Sequence, residues 1–177
     1  MSEIEEKVHE CELDPENVSV AAIHVGTCSW KAGGSLYVQS AQSVYYEYVD
    51  ALNAVSTKYP KAEIVISSIL PRVEGKGSMK KQKKAHEINR EVNQLNMMLK
   101  ELSQKEPNIM YINNDEGFKL EGEAYIEAFN ENDVTGVHLS KLGKTMLADN
   151  LRAAISEAHY KNSLSVEWDI VVPIKSS

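Results

Sequence analysis

The sequence predicts an α/β protein with helices on both faces of a mainly parallel sheet, a three-layer α/β/α architecture. Two observations carry this reading. Three short, nearly continuous apolar runs, Val18–Val25, Glu63–Leu70 and Ile109–Asn113, are bounded by turn residues, as strands buried on both faces are. Longer segments with helical spacing follow each of them, over Ser40–Tyr59, about Lys80–Glu101 and Leu139–Tyr160. Strand–helix alternation needs crossover connections, which leave consecutive strands parallel. A chain of 177 residues can bury one real core but not two comfortable ones, so a single domain spanning 1–177 is expected, its core about 15–160.

Each element has a local cause. Ser2–Glu10 suits a short amphipathic helix, capped by Ser2 and broken by Asp14-Pro15. Gly26–Gly34 reads as the loop after the first strand. In Ser40–Tyr59, Val44, Tyr45, Tyr48, Leu52 and Val55 recur at helical spacing, and Pro60 stops the run. Pro71 closes the second strand. Ile88, Val92, Leu95, Leu99 and Leu102 form the stripe of the long helix, and Pro107 precedes the third strand. Glu116–Asn132 is a polar, partly helical connection. Leu142, Met146, Leu147, Leu151 and Ile155 give the last long helix its inner face. The tail, about 164–175 (LSVEWDIVVPIK), reads as one extra strand, with Pro173 favouring an edge or strand end.

Composition narrows the function. The net charge of −7 argues against a general nucleic-acid partner, because phosphate binding needs a positive face. The basic run Lys76–Lys84 reads as a solvated loop and first helical turn. Two cysteines, Cys11 and Cys28, make no disulfide framework in a chain of this size. No segment has the length or apolarity of a membrane span, and none resembles a signal peptide, so a cytoplasmic protein is expected. No His/Cys/Asp/Glu spacing matches a metal site, and no cofactor is expected.

With these elements placed, four pieces in register resemble the SGNH (GDSL-type) hydrolase superfamily, and in particular the esterase-like domains encoded by some retrotransposons. They are Ile23-His24-Val25-Gly26-Thr27, Ile66-Ser67-Ser68-Ile69-Leu70-Pro71-Arg72, Asn89 to Asn96 on the long helix, and Gly136-Val137-His138-Leu139-Ser140 with Gly143 and Asn150-Leu151. The resemblance implies acyl transfer, in which a serine attacks, a histidine takes its proton, a carboxylate orients that histidine, and hydrogen-bond donors hold the oxyanion.

The implied catalytic positions depart from that pattern. No Gly-Asp-Ser occurs, and the chain begins where the family's first two strands would have ended. Gly26-Thr27-Cys28-Ser29 aligns with the family's oxyanion loop, so cysteine stands where an amide donor is expected. Thr135 stands where the orienting aspartate is expected, three residues before His138, and Asp133 reaches the histidine only if the loop is remodelled. Losing one oxyanion donor costs about 10²–10³ in turnover, and losing the carboxylate about 10⁴. The expectation is therefore a degenerate, non-catalytic domain acting in binding or self-association. The alternative is a residual carboxylic-ester hydrolase using His138 with Cys28 or Ser29, and Asp133 behind it.

Gly26, Thr27, Trp30 and Tyr37, in the loop after the first strand, are the candidate ligand-binding residues, for a small acyl or ester ligand. His24, inside an apolar strand, is expected to be a core histidine. A second copy of the chain is the expected partner, joined by completion of the sheet or exchange of the tail strand, because a sheet avoids unpaired buried edges.

Overall fold

In the computed structural model the described residues are 6, 8, 10–26, 39–73, 79–133 and 135–171, with the backbone alone for 79–84 and 164–171. Three parallel strands, β1 (Val20–Ile23), β2 (Glu63–Ser67) and β3 (Ile109–Ile112), lie in the order β1-β2-β3. Helix α1 (Ala41–Lys58) connects β1 to β2, and α2 (Met79–Lys105) connects β2 to β3. A four-residue helix α3 (Asp115–Phe118) and a small antiparallel hairpin, β4 (Lys119–Leu120) with β5 (Glu123–Ala124), lead towards α4 (Lys141–Val171).

The period of two along β2 sorts the layers. Ile64 and Ile66 face the side covered by α1 and α2, where they pack with Val44, Tyr48, Leu52 and Val55 of α1 and Ile88, Val92, Leu95 and Leu99 of α2. Val65 faces the other side, against Ala154 and Ala158 of α4. Every residue of β2 is buried, which is why this segment carries no alternation of polar and apolar residues. The fold is thus the three-layer α/β/α sandwich the sequence predicts.

The helix ends follow local chemistry. The Ser40 hydroxyl caps α1 by accepting from Ser43 N at 3.2 Å, and the helix ends one residue before Tyr59-Pro60. At the other end of the chain, α4 reaches across the amino ends of the strands. His159 Nδ1 lies 3.1 Å from the Ser19 hydroxyl, Lys161 Nζ donates to Glu63 Oε1 at 2.7 Å, and Asn162 Nδ2 donates to Ser19 O at 2.8 Å.

These contacts bear on the tail. The extra strand expected over about 164–175 is not formed over 164–171, where α4 continues as helix to Val171; residues 172–175 lie outside the described residues. Once a helix is held at 159–162, each further residue adds a hydrogen bond without a new nucleation cost. Nothing in Leu164–Val171 breaks a helix, and the first breaker is Pro173. The alternating apolar residues read as a strand only when that running start is ignored. The helical stretch therefore does not complete the sheet.

Candidate functional site

The carboxyl ends of β1, β2 and β3 lie along one edge of the sheet, the place where α/β folds gather ligands. The loops leaving β1 and β2 touch there. Gly26 has φ +102°, and a Cβ at this position would lie 2.7 Å from Ile69 Cδ1. Only glycine combines that backbone with that approach, so Gly26 serves a turn. Two asparagines on α2, seven residues apart and so on one face, hold the loop after β2. Asn96 accepts from Ile69 N at 2.8 Å and donates to Ile69 O at 2.9 Å. Asn89 accepts from Arg72 N and donates to Arg72 O, both at 2.8 Å. Each replaces a strand partner that the loop backbone lacks. Val73 N then donates to Gly136 O at 3.0 Å, tying this loop to the segment that carries His138.

That segment is organised by one carboxylate. Asp133 Oδ1 accepts from Thr135 N at 3.0 Å, and Oδ2 accepts from Val137 N and His138 N, both at 2.9 Å. The Thr135 hydroxyl lies 2.8 and 2.7 Å from the two oxygens. His138 Nδ1 lies 3.0 Å from Oδ2. Burial alone would push this carboxyl up, but the backbone N–H of His138, both donors of Thr135 and the His138 ring outweigh it and hold the group well below the usual carboxylate range. The side chain of Asp133 is 7% exposed, whereas that of His138 is 70% exposed. The loop is remodelled in just the way an orienting carboxylate two residues early requires. Thr135, in the expected position of the aspartate, donates to Asp133, and Asp133 takes over the contact with the imidazole.

Cys28, Ser29, Thr27, Trp30 and Tyr37 lie outside the described residues. Of the candidates named from sequence, the structure brings together Asp133 and His138 and places Gly26 at a turn. The two described serines nearest in character to a nucleophile, Ser67 and Ser68 at the end of β2, are 0% and 1% exposed and held in place. No group of three or more potential metal ligands occurs among the described residues, and among them no helix is long and apolar enough to cross a membrane.

Sequence reasoning missed a polar network along the same edge. Asn114 Nδ2 donates to Ser67 Oγ at 2.8 Å and Ser68 Oγ at 3.1 Å, Asn150 Nδ2 on α4 donates to Asn114 Oδ1 at 2.9 Å, and Ser67 Oγ lies 3.0 Å from His24 Nδ1. The signal was strand parity. Register pairs Ile23 with Ile66 and Ser67 with Ile112. His24, Ser67 and Asn114 therefore project to the α4 side, one from each strand end.

Comparison with solved structures fits this geometry. The chain aligns with a GDSL-like lipase from Bacteroides thetaiotaomicron at TM-score 0.60 and 13% identity, covering 79% of this chain and 63% of that one. It aligns with a candidate platelet activating factor from Streptococcus pneumonia at TM-score 0.55 and 21% identity, covering 78% and 60%. The fold is of the SGNH (GDSL) type. The chain spans less than two thirds of the length of these two SGNH-like structures. No protein-family model matches the sequence, and no curated protein does.

Proposed function

We propose that this chain is a degenerate SGNH-type domain that binds small acyl or ester ligands at the carboxyl edge of its sheet without turning them over efficiently. The observation that carries this is the state of His138: Asp133 orients its Nδ1, but the ring is 70% exposed, open to water rather than enclosed with a reacting group. A general base works on a proton within hydrogen-bond reach.

A second reading is favoured by the 3.0 Å contact itself. An imidazole held by a buried carboxylate through one nitrogen, with the other open, is the base half of an acyl-transfer site. The penalty of about 10⁴ for a missing orienting carboxylate no longer counts against it. In this reading Cys28 or Ser29 is the nucleophile. Incubation with p-nitrophenyl butyrate separates the two. The expected result is release no faster than in buffer; turnover abolished by both His138→Ala and one of Cys28→Ala or Ser29→Ala would establish the hydrolase.

Self-association through the sheet is part of the same proposal. β1 is an edge of the three-stranded sheet, its four residues Val20-Ala21-Ala22-Ile23 carry no charge or proline, and Ala22 is exposed. Uncharged edges of this kind pair with another strand. Sedimentation of the wild-type chain should show a dimer that Ala22→Lys converts to monomer; a monomer at high micromolar concentration would remove this part.

A further inference from the structure

We infer that His24 is a ligand-contacting residue that offers its Nε2–H as a hydrogen-bond donor to a carbonyl or carboxylate oxygen at the carboxyl edge of the sheet. The ligand class rests on the acyl-ligand reading above; the donor itself rests on the hydrogen bonds around Ser67.

Ser67 Oγ has three neighbours. The Asn114 amide can only donate to it, at 2.8 Å. The hydroxyl proton then goes either to Ser68 O at 3.4 Å or to His24 Nδ1 at 3.0 Å. A hydroxyl hydrogen bond extends to about 3.0 Å, so the proton goes to the histidine. Nδ1 accepts, and the ring proton of a neutral imidazole must sit on Nε2.

The orientation of Asn114 makes this assignment firm. Asn150 Nδ2 donates to its Oδ1 at 2.9 Å, so the opposite atom of the Asn114 amide is the nitrogen that faces Ser67. Three side chains, Ser67 of β2, Asn114 just past β3 and Asn150 of α4, thus set one tautomer at the His24 ring. Burial lowers the affinity of His24 for a second proton, so the ring stays neutral at pH 7.

Among the described residues the other end of the ring has no partner: Nε2 makes no hydrogen bond, and the buried side-chain atoms left without one are the Tyr48 and Tyr59 hydroxyls, not this nitrogen. Its N–H is therefore an accessible donor, fixed in place by the network behind the ring. The position, one residue past β1 and two before Gly26, is on the ligand edge of the fold. A neutral imidazole held as a donor is one of the ways proteins polarise a carbonyl oxygen.

The test uses the full ¹⁵N-labelled chain. Long-range ¹H–¹⁵N spectra should show His24 as the Nε2–H tautomer without any ligand, and butyrate should shift its Nε2 signal saturably, in His138→Ala as well as in wild type. His24→Gln, whose amide places an N–H near the Nε2 position, should keep butyrate affinity within about threefold. His24→Ala should lose about tenfold, the worth of one hydrogen bond. An Nδ1–H tautomer in the free protein overturns the inference whether or not any variant folds. So does butyrate that shifts His138 alone, an outcome that leaves the acyl-ligand reading standing. Absence of any butyrate response overturns both.

Discussion

Asp133→Ala should lower the unfolding free energy by about 3 kcal/mol, against about 1 kcal/mol for His138→Ala, in urea denaturation at pH 7. The difference follows from what each leaves behind. Removing the imidazole deletes one contact on an exposed ring. Removing the carboxylate leaves Thr135 N, Val137 N and His138 N without the acceptor that turns the chain towards α4. Hydrogen bonds to a charged group are worth about 1.5–3 kcal/mol each and are not additive. Loop relaxation towards water recovers part of the sum. Asp133→Asn should fall between the two, since one amide oxygen still accepts while the amide nitrogen faces donors.

The same residue sets the acid limb of stability. Its folded pKa is depressed, so the unfolded chain binds the proton first and protonation favours unfolding. The contribution of Asp133 is fully present above the unfolded value of about 4 and is lost progressively as pH falls below it. Urea midpoints measured from pH 7 to pH 2 should therefore fall more steeply for wild type than for Asp133→Ala, and the two curves should approach each other in acid. Parallel curves would mean that Asp133 is not the anchor of this loop.

The layers were legible in the sequence because burial on both faces leaves an unmistakable trace. β2 is buried at every position, with three successive apolar residues, Ile64-Val65-Ile66, at its centre, and the stripes of α1 and α2 that cover it recur at helical spacing. The tail was misread because a period of two over eight residues cannot report that a helix is already running and clamped at Ser19 and Glu63. At the site, residue types were legible and partners were not. His138 was identified by its loop, but the remodelling that lets Asp133 reach it depends on Thr135 donating from the position an aspartate was expected to hold. His24 reads as one more core residue until register shows that Ser67 and Asn114 end on its side of the sheet. The first is a fold of one loop back on itself and the second a relation between strands, and periodicity along one strand contains neither.

Gly143→Ala should cost at least about 3 kcal/mol, although alanine in a helix normally gains up to about 1 kcal/mol over glycine. Gly143 lies in the first turn of α4 (Lys141–Val171), whose cap is Ser140, the hydroxyl accepting from Gly143 N at 3.1 Å. A Cβ there would stand 2.0 Å from Ala128 O and 2.9 Å from Ala128 C. Both are backbone atoms, so no rotamer relieves the clash. Ala128 O cannot move freely, because it accepts from Ser140 N at 3.0 Å, and the neighbouring Asn130 N donates to His138 O at 2.8 Å. Overpacking of a side chain costs about 1–3 kcal/mol; displacing a bonded carbonyl lies at or above the top of that range. The consequence reaches the site, since the moved segment carries the backbone on which His138 sits. Gly143→Ala should therefore shift the His138 ring signals as well as the thermal midpoint. Gly117→Ala is the matched control. Its added Cβ meets Met146 Cε at 3.1 Å, the far end of a flexible side chain, so its stability should stay within about 1 kcal/mol of wild type. Equal midpoints for the two alanine variants would show that α4 does not approach Ala128 this closely, and that the seat of His138 is set elsewhere.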